Sequence, residues 1–322
     1  MRIKFFEKYL LLILSIGLAS LEMNAQNRLL PILEAPVDAR AASMGSATLM
    51  SAKSNYLYIN PASILYQPNK YTISANGMLY PTYEEASGRL KNGSISLGAK
   101  FLNRHVVFAG FRYQGGLSYQ IIDGPYDDQD IRKYNPFDWA ADLGYAFRIN
   151  DQFSAFATMS FIQSYTGRPA YAGSFSVGAN YLTDFSIARS LATLNVAARV
   201  SNFGTHLYYS SSERYNLPAK AEITSDLTVK LGDIHKITSL VGARYFFLPI
   251  KNQVFQANLG GEYTVFDLVS FRTGVQIGTR YTSHWTAGVG AKFMGGSIDF
   301  AYLKGLNTNY SDRLVLSLSY NY

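Results

Sequence analysis

Apolar and polar side chains alternate with period two through most of this chain, and that pattern limits the folds it can adopt. The last segment is the clearest case, because its apolar residues occupy every second position and mostly polar residues lie between them. These apolar residues are Leu314, Leu316, Leu318, Tyr320 and Tyr322. Successive side chains of a β-strand point to opposite faces. The pattern therefore predicts a sheet with one apolar and one polar face.

Similar segments, separated by turn signals, recur from residue 71 onward, and we count about 14 of them. They begin near Tyr71, Ser94, Val106, Asp138, Phe153, Ser174, Thr193, Ala221, Thr238, Val254, Leu268, Thr286, Ser297 and Arg313. A bacterial outer-membrane barrel needs an even number of strands, because both ends of the chain return to the same side. The predicted fold class is therefore all-β, a transmembrane antiparallel β-barrel of about 14 strands.

Composition favours this barrel over a soluble β-sandwich. Of the 322 residues, 48% are hydrophobic, 16% are charged and 15% are aromatic. Tyr and Phe near strand ends fit the interfacial girdles of a membrane barrel. Tight turns such as Asn103-Arg104 and Gly295-Gly296 also alternate with long connections at 122–137 and 204–220. Such a barrel has short turns on its periplasmic side and long loops outside, and we expect partner contacts on the long loops.

The amino terminus has the features of a secretory signal peptide. Arg2, Lys4 and Lys8 precede an apolar run at 9–21, and cleavage is expected after Ala25. The alternating carboxyl-terminal strand, which ends on an aromatic residue, resembles the signal that the outer-membrane assembly machinery recognises. We therefore predict a multi-pass β-barrel in the cell outer membrane, with outer-membrane lipid and that assembly machinery as partners.

Several other classes of protein are not expected. The chain has no cysteine, which excludes disulfide frameworks and thiol enzymes. The net charge of +7 is carried by scattered Arg and Lys, so no nucleic-acid partner is predicted. The chain's histidines are His105, His206, His235 and His284.

The spacing of these histidines predicts neither an enzyme nor a cofactor. They lie far apart, without a recognisable catalytic arrangement. Ser283-His284 is interpreted as a turn pair. We interpret Asp127-Asp128-Gln129-Asp130 as a solvated acidic loop rather than a calcium site, because it lacks an ordered ligand pattern. No catalytic residue, cofactor or metal ligand is therefore assigned.

Residues 26–67 differ in character from the rest of the chain. They are rich in Ala, Ser and Gly between 38 and 50, which allows a short helix and close backbone contacts, and Asn60-Pro61 marks a turn. We predict three parts: a signal peptide at 1–25, a hatch in the barrel lumen at 26–67, and the barrel at 68–322. A loose periplasmic tail is the alternative for the second part.

The candidate hatch residues are Arg40, Gly45, Asn60, Pro61 and Ala62. Arg40 is a lone cation among small residues. If it lies in the lumen it needs a carboxylate from the barrel wall, and Glu262 and Asp299 are the candidates. Asn60 and Pro61 are predicted to set the turn that leads from the hatch to the first strand.

These residues also carry a resemblance to a known family. The run at 39–47, followed by Asn60-Pro61-Ala62, looks like the amino-terminal signature of the PorV/PorQ family, a branch of the FadL-like outer-membrane barrels. Further similarity lies at Val200-Ser201-Asn202-Phe203-Gly204, Leu217-Pro218, Gly261-Glu262-Tyr263 and Phe271-Arg272-Thr273-Gly274. FadL-like transporters usually have Gly after Asn-Pro-Ala, whereas this chain has Ser63. The departure, together with Asn202-Phe203-Gly204 and Leu217-Pro218, favours PorV/PorQ over a conventional fatty-acid transporter.

The resemblance implies a 14-stranded barrel, plugged by its amino-terminal segment, that serves the type IX secretion system. Its implied partners are components of that system or the carboxyl-terminal signal domains of its cargo, and its role is docking, carrying or anchoring rather than catalysis. The alternative function is a FadL-like outer-membrane transporter of hydrophobic small molecules. Interior glycines suit either function, because they make room for a hatch or for a ligand.

Overall fold

The computed structural model of the protein describes residues 30–82, 87–123, 130–187, 189–210, 213–250, 252–279, 282–306 and 311–322. The predicted signal peptide at 1–25 lies outside the described residues, as does most of the acidic run at 127–130. Most of the described chain is β-strand, as the alternating pattern predicts.

Seventeen strands occur within the described residues. In chain order they are β1 (Tyr71–Thr82), β2 (Ser87–Phe101), β3 (His105–Asp123), β4 (Asp130–Tyr134), β5 (Phe137–Arg148), β6 (Phe153–Tyr165), β7 (Pro169–Ile187), β8 (Ser190–Gly204), β9 (Leu207–Ser210), β10 (Glu213–Tyr215), β11 (Lys220–Leu231), β12 (His235–Phe246), β13 (Val254–Val265), β14 (Val269–Gly278), β15 (His284–Phe293), β16 (Gly296–Gly305) and β17 (Arg313–Asn321). The main sheet contains 15 of them, and β4 pairs there only with β3.

The other fourteen described strands of this sheet form one closed antiparallel ring. Its order is β1, β2, β3, β5, β6, β7, β8 and then β11 to β17. Pairing between β17 and β1, from Thr72 opposite Asn321 to Leu79 opposite Leu314, closes the ring. The predicted 14-stranded antiparallel β-barrel is therefore confirmed.

Three short strands lie outside this ring. β4 pairs with the part of β3 that continues past the barrel wall, whereas β9 and β10 form a separate hairpin. The assignment of 122–137 and 204–220 to long loops is wrong where these strands pair. Strands of three to five residues are too short to show a period-two pattern. The start of β2 is Ser87 rather than Ser94, because glycines and charged residues interrupt the alternation there.

The two faces of the barrel wall have the opposite polarity to those of a soluble protein. In β1, Ile73 is 44% exposed while the next residue, Ser74, is 1% exposed. In β17, Leu316 and Leu318 are exposed, and Ser317 between them is buried. The apolar face is the one that contacts lipid in an outer-membrane barrel, and the polar face lines the interior.

The two ends of the barrel have different connections. Three-residue connections, whose first two residues have positive φ, join β2 to β3 at Leu102-Asn103 (φ 51° and 53°) and β13 to β14 at Phe266-Asp267 (φ 54° and 55°). This geometry matches the twist of adjacent antiparallel strands. Both turns lie at the end where β1 begins and β17 ends, while longer connections lie at the opposite end. By the usual arrangement of such barrels, the short turns are periplasmic.

The amino-terminal segment, residues 30–67, contains the described helical elements. These are a 3₁₀ turn at Pro31–Leu33, α-helices at Ala39–Ser43 and Tyr56–Ile59, and a 3₁₀ turn at Ser63–Tyr66. Asp38 caps the first α-helix by accepting a 2.8 Å hydrogen bond from the Ala41 amide. Among the described residues, no helix is long and apolar enough to cross a membrane.

This segment packs against inward-facing side chains on several sides of the ring. Ile32 belongs to a buried cluster with Ile162 of β6, whereas Ala42 belongs to one with Leu303 of β16. Tyr56 is 2% exposed. The segment's apolar side chains are thus shielded from water by a wall whose interior face is mainly polar.

We predict that a charge on the lipid face of β17 destabilises the barrel. Leu316 faces outward in the middle of the strand, so Leu316→Arg should cost about 2–4 kcal/mol in phospholipid vesicles. Phe266→Arg, in a periplasmic turn, should cost only about 0–1 kcal/mol. Urea unfolding followed by Trp fluorescence measures both variants. Equal losses of unfolding free energy in the two variants would contradict the assignment of Leu316 to the lipid-facing side of the barrel.

Candidate functional site

A cluster of charged side chains, buried except for Lys53, joins the amino-terminal segment to the barrel wall. The Arg40 guanidinium donates to Glu262 of β13 through Nε (2.7 Å to Oε2) and Nη2 (3.0 Å to Oε1). Lys53 Nζ lies 2.8 Å from Glu262 Oε1, and Arg272 Nε lies 2.6 Å from Glu262 Oε2. Arg272 Nη1 then donates to Asp299 Oδ1 at 2.6 Å. Of the two predicted partners, Glu262 contacts Arg40 directly, and Asp299 is reached through Arg272.

The burial of Glu262 makes these contacts strong. Its side chain has no exposed surface and that of Arg40 is 4% exposed. Removing an ionised carboxylate from water is costly unless cations and hydrogen-bond donors surround it. Arg40 and Lys53, both from the segment, supply part of that compensation. The docked position of the segment therefore stabilises a charge that the wall already contains.

A second cluster lies on β8 and β11. Arg199 donates to Glu222 Oε1 at 2.6 Å, and Lys220 lies 3.3 Å from Glu222 Oε2. Thr48 of the segment donates its hydroxyl to Glu222 Oε2 at 2.8 Å. Arg199 also donates to the backbone carbonyl of Tyr58 at 3.2 Å. The segment thus makes two further polar contacts with charged wall residues.

A third cluster lies on β3 and β5. Arg112 and Asp142 form a two-point contact, with Nε to Oδ2 at 2.9 Å and Nη2 to Oδ1 at 2.6 Å. The Tyr58 hydroxyl donates to Asp142 Oδ2 at 3.0 Å. Burial, followed by the nearby carboxylate, raises the pKa of the Tyr58 phenol, which keeps it a hydrogen-bond donor at neutral pH.

Gly45 allows the segment to lie directly on the wall. Its φ of 73° is in the left-handed region, its amide donates to Thr286 Oγ1 at 3.0 Å, and its carbonyl accepts from Asn258 Nδ2. A Cβ on Gly45 would lie 2.7 Å from the Leu259 carbonyl oxygen, and a Cβ on Gly274 would lie 2.3 Å from the Gly45 nitrogen. Both the segment and the wall therefore need glycine at this contact.

Asn60 joins two parts of the segment to β7. Its Nδ2 donates to Asn180 Oδ1 at 2.7 Å and to the Leu49 carbonyl at 3.2 Å, and its Oδ1 accepts from the Ala62 amide at 3.2 Å. Asn60 has no exposed surface. The turn at Asn60-Pro61-Ala62 leads into the 3₁₀ turn at Ser63–Tyr66, which precedes the start of β1 at Tyr71.

Sequence reasoning missed the contact between Ser46 and His284. Ser46 Oγ and His284 Nε2 lie 2.8 Å apart, and His284 is 1% exposed. Interpreting Ser283-His284 as a turn pair is wrong for His284, which begins β15 and points inward. The missed wall residues Arg112, Asp142 and Glu222 share one signal, namely a charge on the inward-facing positions of an alternating strand.

The hairpin of β9 and β10 covers the outer end of the segment. Leu207 and Leu217 belong to the same buried cluster as Leu30 and Ile32. The Tyr209 hydroxyl on this hairpin donates to a serine of β6 at 2.6 Å. This part of 204–220 therefore packs inward, and the expected partner contacts fall on its exposed face. In the described ranges, no group of three or more His, Asp or Glu residues could hold a metal ion.

No family profile matches this chain, and no curated protein does. Solved structures do match. The toluene transporter TodX of Pseudomonas putida is 12% identical, with a TM-score of 0.57 over 87% of this chain and 96% of TodX. The toluene transporter TbuX of Ralstonia pickettii is 13% identical, with a TM-score of 0.57 over 89% and 98%. A FadL homologue of Pseudomonas aeruginosa is 12% identical, with a TM-score of 0.50 over 89% and 98%.

The fold is that of a FadL-like outer-membrane barrel. The strand count and ring closure agree with these structures, and they fit a multi-pass β-barrel in the outer membrane. These neighbours are channels and transporters rather than enzymes. At this level of identity the likeness concerns the fold. Membership of the PorV/PorQ family stays a prediction, because none of the comparisons names that family.

We predict that Arg40→Ala loosens the segment without preventing barrel assembly. Loss of the hydrogen bonds to Glu262 should weaken docking by about 1.5–3 kcal/mol, since Arg272 and Lys53 still compensate the carboxylate. Chymotrypsin cleavage after Tyr56 and Tyr58 should become faster. Heat-modifiable mobility on gels reports the intact barrel.

Lys236→Ala is the matched control, because the ion pair described for Lys236 is with Asp267, in a periplasmic turn, and not with the segment. This variant should cleave like the wild type. Unchanged protease resistance in Arg40→Ala would refute the anchoring role of Glu262.

We also predict that Gly45→Ala is more harmful than its backbone strain explains. Gly232→Ala is the control, because Gly232 has a similar φ of 66° and a Cβ added there would meet no described atom within 4 Å. The free energy of unfolding of the control should fall by about 1–2 kcal/mol, which is the cost of a left-handed backbone conformation for a residue with a Cβ. Gly45→Ala should lower the free energy of unfolding clearly more, because its methyl group would clash with two backbone oxygens of the wall. Equal losses in thermal unfolding would contradict the close approach.

Proposed function

We propose that this protein is an outer-membrane channel for hydrophobic small molecules and that residues 30–67 act as its hatch. The observation that carries the proposal is the docking of this segment on charged residues from several sides of the ring, Glu262, Glu222 and Asp142. Several structural neighbours are named as toluene transporters or monoaromatic hydrocarbon channels, which favours the same class of solute here.

The contacts suit a hatch that moves. Ion pairs and hydrogen bonds can be exchanged for contacts with water, whereas the apolar packing of the segment against wall residues such as Phe108 and Phe156 opposes its release. When the segment shifts, Glu262 would lose Arg40 and Lys53 but keep Arg272. This wall carboxylate would therefore still have a cationic partner. The same arrangement therefore stabilises the docked state and limits the cost of leaving it.

Uptake of radiolabelled toluene by intact cells that produce the protein tests this proposal. We expect faster uptake than in cells without the protein. Arg40→Ala should increase the rate further, because its segment is held less firmly, while Lys236→Ala should leave the rate unchanged. Equal uptake with and without the protein would overturn the channel proposal.

The second candidate is docking within the type IX secretion system, which the PorV/PorQ resemblance implies. The observation that favours it is the hairpin of β9 and β10, which covers the outer end of the segment and exposes Tyr208 at 52%. A covered lumen with an aromatic outer surface suits protein contacts. Affinity purification from gently solubilised outer membranes tests it. Secretion components or cargo signal domains should copurify, and Tyr208→Ala should reduce their recovery.

A further inference from the structure

The inward faces of β1 and β2 contribute no residue to the three charged clusters described above. Where they pair in mid-barrel, they carry small uncharged polar side chains instead of ion pairs. Asn76 lies directly opposite Ser94, and Asn92 lies two residues farther along the same face. Thr72 lies nearer the periplasmic end, opposite Gly98.

These four residues, which we name the polar seam, contain buried polar atoms without protein partners. Within the described ranges, no hydrogen bond reaches Thr72 Oγ1, Asn76 Oδ1, Asn92 Oδ1 or Ser94 Oγ. The residues are 7%, 7%, 3% and 8% exposed, respectively. Buried polar groups in proteins almost always have a partner, either protein or ordered water. Four such atoms on two paired strands therefore call for a common explanation.

The segment does not supply those partners. Its hydrogen bonds to β1 and β2 in this region come from Asn55, whose amide donates to Ser74 Oγ at 3.0 Å and whose Oδ1 accepts from Ser96 Oγ at 3.3 Å. Asn76 Nδ2 and Asn92 Nδ2 are bonded to neighbouring wall residues, so only their oxygens are left over. On this side the segment is held by Asn55 and, nearer the periplasmic end, by Lys100, which donates to the Ile64 and Gln67 carbonyls. None of these bonds reaches the four seam atoms.

We propose that the polar seam binds water and small uncharged solutes that carry hydroxyl groups, at the boundary between the segment and the wall on both sides of the Asn55 contacts. The chemistry of the four atoms selects this class. Two amide oxygens accept hydrogen bonds, and two hydroxyls donate and accept, so a hydroxyl-bearing solute satisfies them. None of the four side chains carries a charge that would compensate an ion. Solute binding by the seam does not depend on whether the barrel transports hydrocarbons or docks proteins.

Reaction of single cysteines tests the proposal directly, because the natural chain has no cysteine. Ser94→Cys places a thiol in the seam by a nearly isosteric change. Ala197→Cys is the control: it is 1% exposed, faces inward, and lies seven residues from the periplasmic end of β8, as Ser94 does in β2. Both variants are folded into phospholipid vesicles, and assembly is checked by heat-modifiable mobility.

The probes are neutral methyl methanethiosulfonate and its cationic trimethylammonium-ethyl analogue. With the neutral reagent, Ser94→Cys should react at least about tenfold faster than Ala197→Cys. The cationic reagent should react with Ser94→Cys much more slowly than the neutral one. Equal protection of the two thiols would overturn the seam, and equal reaction with both reagents would overturn its selectivity for uncharged solutes.

Osmotic swelling of the same vesicles in glycerol gives a second readout. Ser94→Leu fills the seam with an apolar side chain and should slow swelling severalfold, whereas Ala197→Leu, outside the seam, should not. Toluene uptake is measured in parallel, so that failure of the channel proposal can be told apart from failure of the seam. Identical swelling of wild type and Ser94→Leu would count against the seam even if its thiol reacts.

Discussion

Closure of the sheet between β1 and β17 is the constraint on which the rest of the structure depends. In lipid, every backbone amide and carbonyl needs an internal partner, and strands meet that need only in a closed ring. The register from Thr72 opposite Asn321 to Leu79 opposite Leu314 removes both open edges. Because the outer face of the ring contacts lipid, the polar residues of the alternating strands must face inward.

That inward polarity determines how the amino-terminal segment is held. An interior lined with carboxylates and guanidinium groups cannot be filled by apolar side chains alone, because buried charges need partners. Arg40, Lys53, Thr48 and Tyr58 supply hydrogen bonds to wall carboxylates, while Gly45 lets the backbone approach at a place where the wall is also glycine. The side at β1 and β2, where four buried polar atoms have no partner among the described residues, then becomes the natural place for water.

Much of this architecture could be predicted from the sequence. Alternation located the ring strands and the outer face of β17. The isolated charge of Arg40 pointed to Glu262 or Asp299, and Glu262 is its direct partner. Contacts across the lumen could not be found in the same way. The period-two pattern shows which face of the sheet a residue occupies, but not which distant strand or segment lies opposite it. The contacts of Arg112 with Tyr58 and of Ser46 with His284 could therefore be found only from the structure. The short strands β4, β9 and β10 escaped because pairing, not periodicity, defines them.

The most direct test of the account is a reversible tether between the segment and the wall. The Ala39 amide donates to Ser317 Oγ at 2.7 Å, and both residues are buried and small, so Ala39→Cys with Ser317→Cys places two thiols close together. If the segment is the hatch, oxidation should block toluene uptake and reduction should restore it, while each single variant behaves like the wild type. Undiminished uptake with the disulfide fully formed would contradict the hatch.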